Sequence, residues 1–347
     1  MTARSVLWVG KAGVNGGGDE IFDRKLLAAL DPSARVTRFE VPVQPRLRQI
    51  GNLLRGFPQP CFKYASPALD RDFRAAAASH DQVVISLEAL EHFALVVDRP
   101  VTLILHNITH DLLGQILGKH PLGRLAAAWS LRWEQRLYAR DTIHLVTLSQ
   151  RDRALVEALA PGRTVDVACP GMPPPVPLQG TAIIPELVLS GSYAWHAKRR
   201  ALADLAREVA RTGSDFAWRH DLALPDDPAM AAIARVARPI EPVDYGAGLR
   251  FGLIPDDFLA GFKLKATYFI ANNCVVLSRC DIRPEFDGLP FADQFVRYTP
   301  HLVEIADAMA ALRARDRATL HREWLEFRDA CAQRFSWQAA AQTVTGP

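Results

Sequence analysis

The stretch from Leu249 to Leu277 constrains the fold of this chain more than any other. Two short apolar runs, Leu249–Ile254 and Cys274–Leu277, have the length and composition of buried strands. Between them, Asp256 is expected to cap a helix that begins near Phe258. The pattern of strand, loop, helix and strand predicts an α/β fold with parallel strands.

Two lysines of this stretch suggest a binding role. Lys263 and Lys265 fall in the first half of the predicted helix, just after the carboxyl end of a predicted strand. A lysine near a helix N-terminus at that edge of a sheet is well placed to bind phosphate. The alternative is an ordinary helix face whose lysines are solvated. Tyr268 lies one turn further along the same helix.

Composition narrows the class of protein. A chain of 347 residues favours two domains, and 49% hydrophobic residues suffice for a substantial core. The net charge of +3 is too small to indicate nucleic-acid binding. Five scattered cysteines without a C-x-x-C pair indicate reduced thiols, as in the cytoplasm. Because the N-terminal apolar run is too short for an export signal and no segment approaches the ~20 apolar residues of a membrane span, we expect a cytoplasmic protein.

The N-terminal segment has a glycine-rich turn between a strand and a helix. The predicted strand Ser5–Gly10 is followed by Gly16, Gly17 and Gly18, and Asp19 then caps a helix. Glycines before a helix N-terminus let a ligand approach the backbone closely. There is no G-x-G-x-x-G pattern and no P-loop lysine, so a mobile surface turn is the alternative.

Polar side chains follow the next two predicted strands, Gln82–Ser86 and Val101–Leu105. Glu88 comes just after the first of them, and His106 comes directly after the second. A histidine in that position projects into the crevice at the carboxyl edge of the sheet and can carry a proton near neutral pH. His106 and His110 could also ligate a metal, but a third ligand is missing and we predict no metal site.

A second cation occurs at another predicted helix start. The predicted strand Leu187–Ser190 leads to Gly191, Ser192 and a helix whose first turn carries Lys198. The alternative is a basic first turn of a surface helix, but cations are disfavoured at a helix N-terminus, and this misfit favours a bound anion there.

Residues 45–63 contain a short basic amphipathic helix. Apolar side chains recur at helical spacing beside basic ones: Leu47, Ile50, Leu54 and Phe57 with Arg46, Arg48, Arg55 and Lys63. Such a helix can lie on an anionic membrane surface. The alternative is a helix packed on the sheet with solvated arginines, which the interruption at Gly51 favours.

Taken together, these motifs resemble those of GT-B glycosyltransferases, in particular family 4 and its relatives. In those enzymes a donor-site helix has the pattern Lys-x-x-Glu-Tyr-x-Ala-x-Gly-x-Pro-Val-Val. Lys265 and Ala271 match it, whereas Tyr268 stands in the place of the glutamate and Asn273 in that of the glycine. The family's paired glutamates would fall on Ala260 and Tyr268, so both are absent.

Weaker similarities extend over nearly the whole chain. The run from His106 to His110 is similar to the family's His-Asn-x-Glu-His, with Thr109 in place of the glutamate. Lys198 matches the lysine that follows a Gly-Arg pair in the family, and Ser192 replaces that arginine. The segment Phe335–Trp337 and a closing helix recur at the end of family 4 chains.

The resemblance implies a GT-B fold, an α/β architecture of two Rossmann-like domains that face a central cleft. Residues 1–170 would form the acceptor-binding domain and residues 178–325 the nucleotide-sugar-binding domain. Residues 326–347 would form a C-terminal helix that packs back on the N-terminal domain.

The implied function is transfer of a hexose from a UDP- or GDP-linked donor to a saccharide or lipid-linked acceptor, as in bacterial surface polysaccharide or glycoconjugate synthesis. No metal or cofactor is implied, and the anomeric configuration would be retained. The residues assigned to donor binding are Gly16, Gly17, Gly18, Gly191, Ser192, Lys198, Lys265 and Tyr268.

His106 would contact the sugar or the acceptor, and an inverting mechanism would need Asp19 or Glu88 as the base. The basic segment would hold the protein on the inner face of the cell membrane. Two other classes stay open: a non-catalytic GT-B subunit that has lost the donor-site glutamates, and a two-lobed small-molecule binding protein.

Overall fold

The structure is a computed structural model, and it describes residues 4–13, 17–30, 34–191, 193, 195–212, 217–220, 237–239 and 245–346. The chain forms two compact units. The first contains residues 1–170 together with two short later segments, 260–262 and 337–347. The second contains residues 171–259 and 263–336.

The first unit contains a six-stranded parallel sheet in the order β2-β1-β3-β4-β5-β6. Its strands are β1 Ser5–Lys11, β2 Arg35–Val41, β3 Gln82–Ser86, β4 Val101–Leu105, β5 Ile143–Thr147 and β6 Val165–Val167. Its first six helices are α1 Gly18–Ala29, α2 Arg46–Leu54, α3 Pro67–Ala78, α4 Thr109–Leu117, α5 Pro121–Tyr138 and α6 Gln150–Leu159, with 3₁₀ helices at Cys61–Lys63 and Glu88–Leu95.

The second unit is also built on a six-stranded parallel sheet, in the order β12-β11-β10-β7-β8-β9. Its strands are β7 Ala182–Leu189, β8 Ala217–His220, β9 Ala237–Pro239, β10 Gly248–Ile254, β11 Cys274–Ser278 and β12 Val296–Tyr298. Within its described residues, the helices are α7 His196–Thr212, α8 Leu264–Ala271, α9 Ala292–Phe295, α10 Leu302–Arg313 and α11 Arg317–Arg334, with a 3₁₀ helix at Arg283–Phe286.

The central strands are buried on both faces because they consist of continuous apolar runs, which is typical of parallel sheets covered by helices. In the first unit, one face of the sheet packs against α1 and the last helix, α12 Trp337–Thr345. Phe22 of α1 and Trp337 meet there with ring centroids 5.8 Å apart. The last helix is therefore part of the core of the first unit.

The loop after β10 differs from the sequence-based expectation. Asp256 does not cap a helix near Phe258, and the helix begins only at Leu264. Gly261 in this loop has φ of +59°, which a continuous right-handed helix does not allow. The Asp256 carboxylate instead accepts a hydrogen bond from Lys263 Nζ at 3.0 Å, so the loop is held by an ion pair.

The proline-rich segment 171–177 has no regular secondary structure, but it is anchored within the second unit. Met172 N donates to the carbonyl of Phe335 at 2.8 Å, and Val176 N donates to that of Ala271 at 2.8 Å.

Among the residues that the structure describes, no helix combines the length and the apolar composition that a membrane crossing requires.

Candidate active site

Each sheet has one point at which the strand order reverses, and polar residues cluster at both points. In the first unit the reversal lies between β1 and β3, and in the second between β7 and β10. In open α/β sheets, ligands bind at such switch points, outside the carboxyl ends of the strands.

In the first unit, Lys11 at the end of β1 forms an ion pair with Asp19 in the first turn of α1. Burial works to raise the pKa of Asp19, but the hydrogen bond and charge of Lys11 hold it below its usual range. Asp19 therefore stays ionised and paired at neutral pH, which makes it a weak proton acceptor. Gly17 is the N-cap of α1 and Gly18 its first residue, whereas Gly16 lies outside the described residues.

Glu88 is presented at the end of β3 by a strained backbone. Leu87 has φ of 102°, an uncommon value for a residue with a side chain, and its N–H donates to the carbonyl of Ile104 at 3.0 Å. The Glu88 carboxylate is buried; Oε1 accepts from Asn107 Nδ2 at 3.2 Å, while Oε2 has no hydrogen-bond partner among the described residues. Burial raises the pKa of Glu88 to about 7. A carboxylate of this kind suits a general base at neutral pH.

His106 follows β4 and is held by a short hydrogen-bond chain. Ser86 Oγ donates to Asp23 Oδ1 at 2.5 Å and lies 3.0 Å from His106 Nε2. Since the serine hydroxyl donates its hydrogen bond to the aspartate, Nε2 is the donor to the serine and Nδ1 carries no proton. Burial lowers the pKa of His106 to about 4, so the imidazole is neutral at pH 7.

The backbone of His106 is packed against a loop segment that belongs to the first unit. A side chain at Gly261 would lie 2.1 Å from the His106 carbonyl oxygen, so only glycine fits. Gly261 N donates to Asp152 Oδ2 at 3.1 Å, which fixes the segment in place. The structure thus immobilises His106 from both its side chain and its backbone.

In the second unit, a buried aspartate lies within the field of three lysines. Asp256, at the end of β10, is 1% exposed and pairs with Lys263. Burial works to raise the pKa of Asp256, but Lys263, Lys265 and Lys198 together lower it to about 2. Three cations thus face one carboxylate, which leaves an excess of positive charge at the switch point.

The cations belong to the starts of two helices. Lys198 is in the first turn of α7, Lys263 is the N-cap of α8, and Lys265 is in its first turn. Helix N-termini carry a positive partial charge, so these lysines add to a potential that favours an anion. The two lysines predicted for donor binding are therefore brought into one cluster.

Lys265 is held in place by neighbouring groups. Its Nζ donates to Tyr193 Oη at 2.8 Å and lies 3.9 Å from the centroid of the tyrosine ring. Gly191 has φ of +94°, and a side chain there would lie 3.1 Å from Lys265 Cε. Ser192 lies outside the described residues. Tyr268 is on α8, one turn after Lys265, with its ring centroid 5.9 Å from that of Phe269.

The pairing of Asp256 with the lysine cluster makes the free energy of unfolding depend on pH. The folded-state pKa of Asp256 is about 2 against an ordinary 3.8, so its contribution to stability is complete above pH ~4. That contribution, on the order of 2 kcal/mol, is lost as the pH falls from ~4 to ~2. We expect Asp256→Asn to unfold more easily than the wild type at pH 7 and to lose less stability between pH 4 and pH 2.

Urea unfolding at pH 7, 4 and 2.5, with exposed Asp98→Asn as the control, measures this effect. Parallel losses for wild type and Asp256→Asn on acidification would contradict it.

His110 has a structural role instead of a metal-binding one. Its Nδ1 lies 2.6 Å from Glu134 Oε2, and the buried Glu134 also accepts from the backbone N–H of Thr109 at 2.7 Å. Glu134 therefore caps the start of α4. Within the described parts of the chain, no group of three or more His, Cys, Asp or Glu is arranged to hold a metal ion.

Sequence reasoning missed several residues of the two clusters. Lys11, Ser86 and Asp256 occur at the carboxyl ends of strands, which was a usable signal. The residue type of Asp256 predicts a helix cap, although the position after a central strand fits a site equally well. The hydrogen bond between Tyr193 and Lys265 cannot be predicted from the sequence, because it depends on the path of the loop that brings the tyrosine hydroxyl to the lysine.

No family model and no curated protein sequence matches the chain. Sucrose-phosphate synthase from Thermosynechococcus elongatus superimposes with a TM-score of 0.67 at 14% identity, covering 97% of this chain and 96% of that one. Anabaena HepE in complex with UDP-glucose gives 0.63 at 12% identity, with 98% of each chain covered.

The chain has the GT-B fold. The lipopolysaccharide outer core galactosyltransferase WaaB has the same fold, with a TM-score of 0.53 at 11% identity over 98% of this chain and 99% of that one. The predicted α/β fold class is confirmed by these comparisons. The superpositions establish the GT-B architecture, and the similarity to family 4 rests on the sequence motifs alone.

Proposed function

We propose that this protein is a metal-independent glycosyltransferase that moves a sugar from a nucleoside-diphosphate donor to a hydroxyl group of a saccharide or lipid-linked acceptor. The observation that carries this proposal is the lysine cluster at the switch point of the second unit. Its excess positive charge, placed at two helix N-termini, matches a diphosphate leaving group. The glycosyltransferase fold of the structural neighbours supports the same activity.

The donor diphosphate is assigned to Lys198 and Lys265. Lysine is an effective point-charge binder of phosphate, and a charge developing on the leaving group is stabilised most in a preorganised, partly buried site. The contact with Tyr193 preorganises Lys265. UDP is the favoured nucleotide because HepE was solved with UDP-glucose and is similar over its full length.

Glu88 is assigned as the base that removes the proton from the acceptor hydroxyl. Its pKa of about 7 and its unpartnered oxygen suit proton transfer, whereas Asp19 is committed to Lys11. Attack by an activated hydroxyl on the far side of the sugar inverts the anomeric carbon, so this assignment favours inversion over the retention that the family resemblance implies. His106, neutral and fixed, is assigned to a hydroxyl of the sugar or acceptor.

The proposal is tested by thermal unfolding with UDP, GDP, ADP, TDP and CMP, alone and as sugar conjugates. A nucleotide that binds only the folded state raises the melting temperature. The expected result is a rise with one diphosphate, followed by detection of the transferred sugar and its anomeric configuration by NMR. If no nucleotide raises the melting temperature, the chain is a non-catalytic GT-B subunit or a binding protein.

We predict that activity persists in EDTA. The lysines and the helix N-termini supply the positive charge that a divalent ion would otherwise provide. Transfer is measured with UDP-sugar in 5 mM EDTA and with added Mg²⁺ or Mn²⁺. Activity that is abolished by EDTA and restored by either ion would contradict the mechanism.

The basic helix α2 supports a peripheral contact with the membrane. Leu47 and Leu54 are 85% and 84% exposed, and Ile50 is 57% exposed, so the apolar face of α2 is not packed on the sheet. Arg46 and Arg55 are exposed beside it. The chain has no acidic residue from position 41 to position 69. An anionic leaflet fits such a surface, since the leucines enter the headgroup region and each arginine adds ~1 kcal/mol.

We predict that the protein pellets with anionic vesicles at low salt and is released at high salt, because screening weakens the attraction of the arginines. The test compares wild type with Arg46→Glu/Arg55→Glu by co-sedimentation with vesicles containing phosphatidylglycerol. The control, Arg313→Glu/Arg317→Glu, reverses two exposed charges of the second unit. Absence of wild-type binding at low salt would indicate that the acceptor is soluble.

A further inference from the structure

Asp23 of α1 is the far end of the hydrogen-bond chain that holds His106. Asp23 Oδ1 and Ser86 Oγ are 2.5 Å apart, and Ser86 Oγ and His106 Nε2 are 3.0 Å apart. Ser86 is 1% exposed, so solvent does not compete for its hydroxyl. The chain therefore connects a carboxylate of α1 to an imidazole at the carboxyl edge of the first sheet.

The other ring nitrogen of His106, Nδ1, is the end of the chain that a ligand can reach. It has no hydrogen-bond partner among the described residues, yet it is not enclosed, unlike the two ring nitrogens of His92. The ring lies edge-on to that of Phe22, with centroids 4.9 Å apart at 77°, which fixes its plane. A hydroxyl group at Nδ1 therefore meets an imidazole of defined orientation.

The direction of the chain decides whether Nδ1 accepts or donates a hydrogen bond. An ionised carboxylate only accepts, so the Ser86 hydroxyl donates to Asp23 and its oxygen accepts from the Nε2–H of His106. A neutral imidazole carries one N–H, and the partner of one nitrogen sets the state of the other. With Asp23 ionised, Nδ1 is therefore an acceptor.

Protonation of Asp23 reverses each bond of the chain. A proton that enters from water at Nδ1 is matched by transfer of the Nε2 proton to Ser86 Oγ and of the serine proton to Asp23 Oδ1. One proton is gained in all, the imidazole stays neutral, and Nδ1 becomes a donor. The reversed chain keeps both hydrogen bonds, whereas a proton on Asp23 Oδ2 finds no acceptor among the described residues.

The surrounding charges place this reversal in the weakly acidic range. Burial raises the pKa of Asp23 to about 6; the charge of Asp19 acts in the same direction, and that of Arg38 opposes it. Burial lowers the pKa of His106, which faces Asp19 and Lys11, to about 4. The helix α12, which packs on α1, has no titratable side chain. Asp23 therefore gains its proton at a higher pH than the one at which the imidazole becomes charged.

We propose that Asp23 is a positioning residue that sets, through Ser86, which ring nitrogen of His106 carries the proton. His106 then accepts a hydrogen bond from a ligand hydroxyl while Asp23 is ionised, and donates one while Asp23 is protonated. The imidazole changes its role without becoming charged. The part of that hydroxyl in sugar transfer rests on the proposed function, but the hydrogen-bond chain itself does not.

The test is NMR of protein labelled with ¹³C and ¹⁵N at histidine, without nucleotide or acceptor. Long-range ¹H–¹⁵N correlations show which nitrogen of each ring carries the proton, and His106→Gln identifies the signals of His106 among the ten histidines. Spectra between pH 7.5 and pH 4.5 are compared for wild type, Asp23→Ala and Ser86→Ala. The matched control, Asp98→Ala, removes an exposed carboxylate of the same unit.

The expected wild-type result is a proton on Nε2 at pH 7.5 and on Nδ1 at pH 5, with a midpoint of about 6. Asp23→Ala should show the Nδ1–H form at both pH values, since the serine then donates to Nε2, and Asp98→Ala should behave as wild type. The proposal is overturned if the wild-type proton stays on Nε2, if both nitrogens are protonated at pH 5, or if Asp23→Ala changes form as wild type does.

Two further variants keep the result decisive. If circular dichroism shows that Asp23→Ala does not fold, Ser86→Ala decides, because loss of the midpoint supports the proposal and its retention overturns it. Glu88 titrates nearby, with a pKa of about 7, so Glu88→Gln should keep the midpoint, and its loss there overturns the proposal. Because no nucleotide is present, failure here leaves the thermal-shift test of the donor site untouched.

Discussion

Glu88→Gln is expected to lower kcat by about 10²–10⁴ while leaving the affinity for the nucleotide donor unchanged. Glutamine keeps the shape of the buried side chain and can keep the contact with Asn107, but it cannot accept the proton of the acceptor hydroxyl. In the wild type, kcat/KM should rise as the pH increases through ~7, since the ionised carboxylate is the active form. Steady-state kinetics between pH 5.5 and 8.5 measures both effects.

The same substitution should stabilise the fold at alkaline pH. A folded-state pKa of about 7, raised above the ordinary 4.5 by burial, means that the protonated form contributes stability below pH ~4.5 that is lost as the pH rises through ~7. Removing the charge should therefore raise the free energy of unfolding at pH 8, by up to on the order of 3 kcal/mol. Asp98→Asn, an exposed carboxylate, is the control and should change neither quantity. A kcat within threefold of wild type in Glu88→Gln would remove this residue from the mechanism.

The second large effect is expected at the lysine cluster. Lys198→Ala and Lys265→Ala should each weaken binding of UDP and of the UDP-sugar by roughly 1.5–3 kcal/mol, the size of a hydrogen bond to a charged group. Calorimetric titration measures the loss, and the exposed Lys119→Ala is the matched control. Unchanged affinity in the double variant Lys198→Ala/Lys265→Ala would refute the assignment of the diphosphate.

Lys263→Ala tests whether this lysine of the cluster stabilises the fold instead of binding the diphosphate. Its partner Asp256 is buried, and removing one member of a buried ion pair typically costs about 3–5 kcal/mol of stability. A lower melting temperature in Lys263→Ala, with the two other lysine variants close to wild type, would distinguish the structural lysine from the ligand-binding ones.

The central strands could be predicted from sequence because their signal is local. β3 and β4 have the predicted bounds, since each is a short apolar run between polar turns. The start of α8 could not be predicted in this way. Asp256 fits a helix cap by residue type, and only the ion pair with Lys263 and the left-handed Gly261 move the start to Leu264.

The candidate site shows the same division between local and long-range signals. The positions of His106 and Glu88 after strands could be predicted, since the carboxyl edge of a parallel sheet collects such residues. The pKa of Glu88 could not, because it depends on how completely the folded chain buries the carboxylate. Similarly, the sequence pattern of α2 left open whether its leucines are packed, and their exposure is a property of the tertiary structure.

The last helix, α12, has a consequence for biosynthesis. It covers one face of the first sheet, beside Phe22, although about half of the chain is translated between that sheet and this helix. At a translation rate of about 5–20 residues per second, the first unit lacks α12 for on the order of ten seconds or more after its sheet has been synthesised, and that apolar face of the sheet stays partly uncovered. A nascent chain paused before Trp337 should therefore expose a surface that chaperones bind, and fragments that end near Pro170 should aggregate on expression.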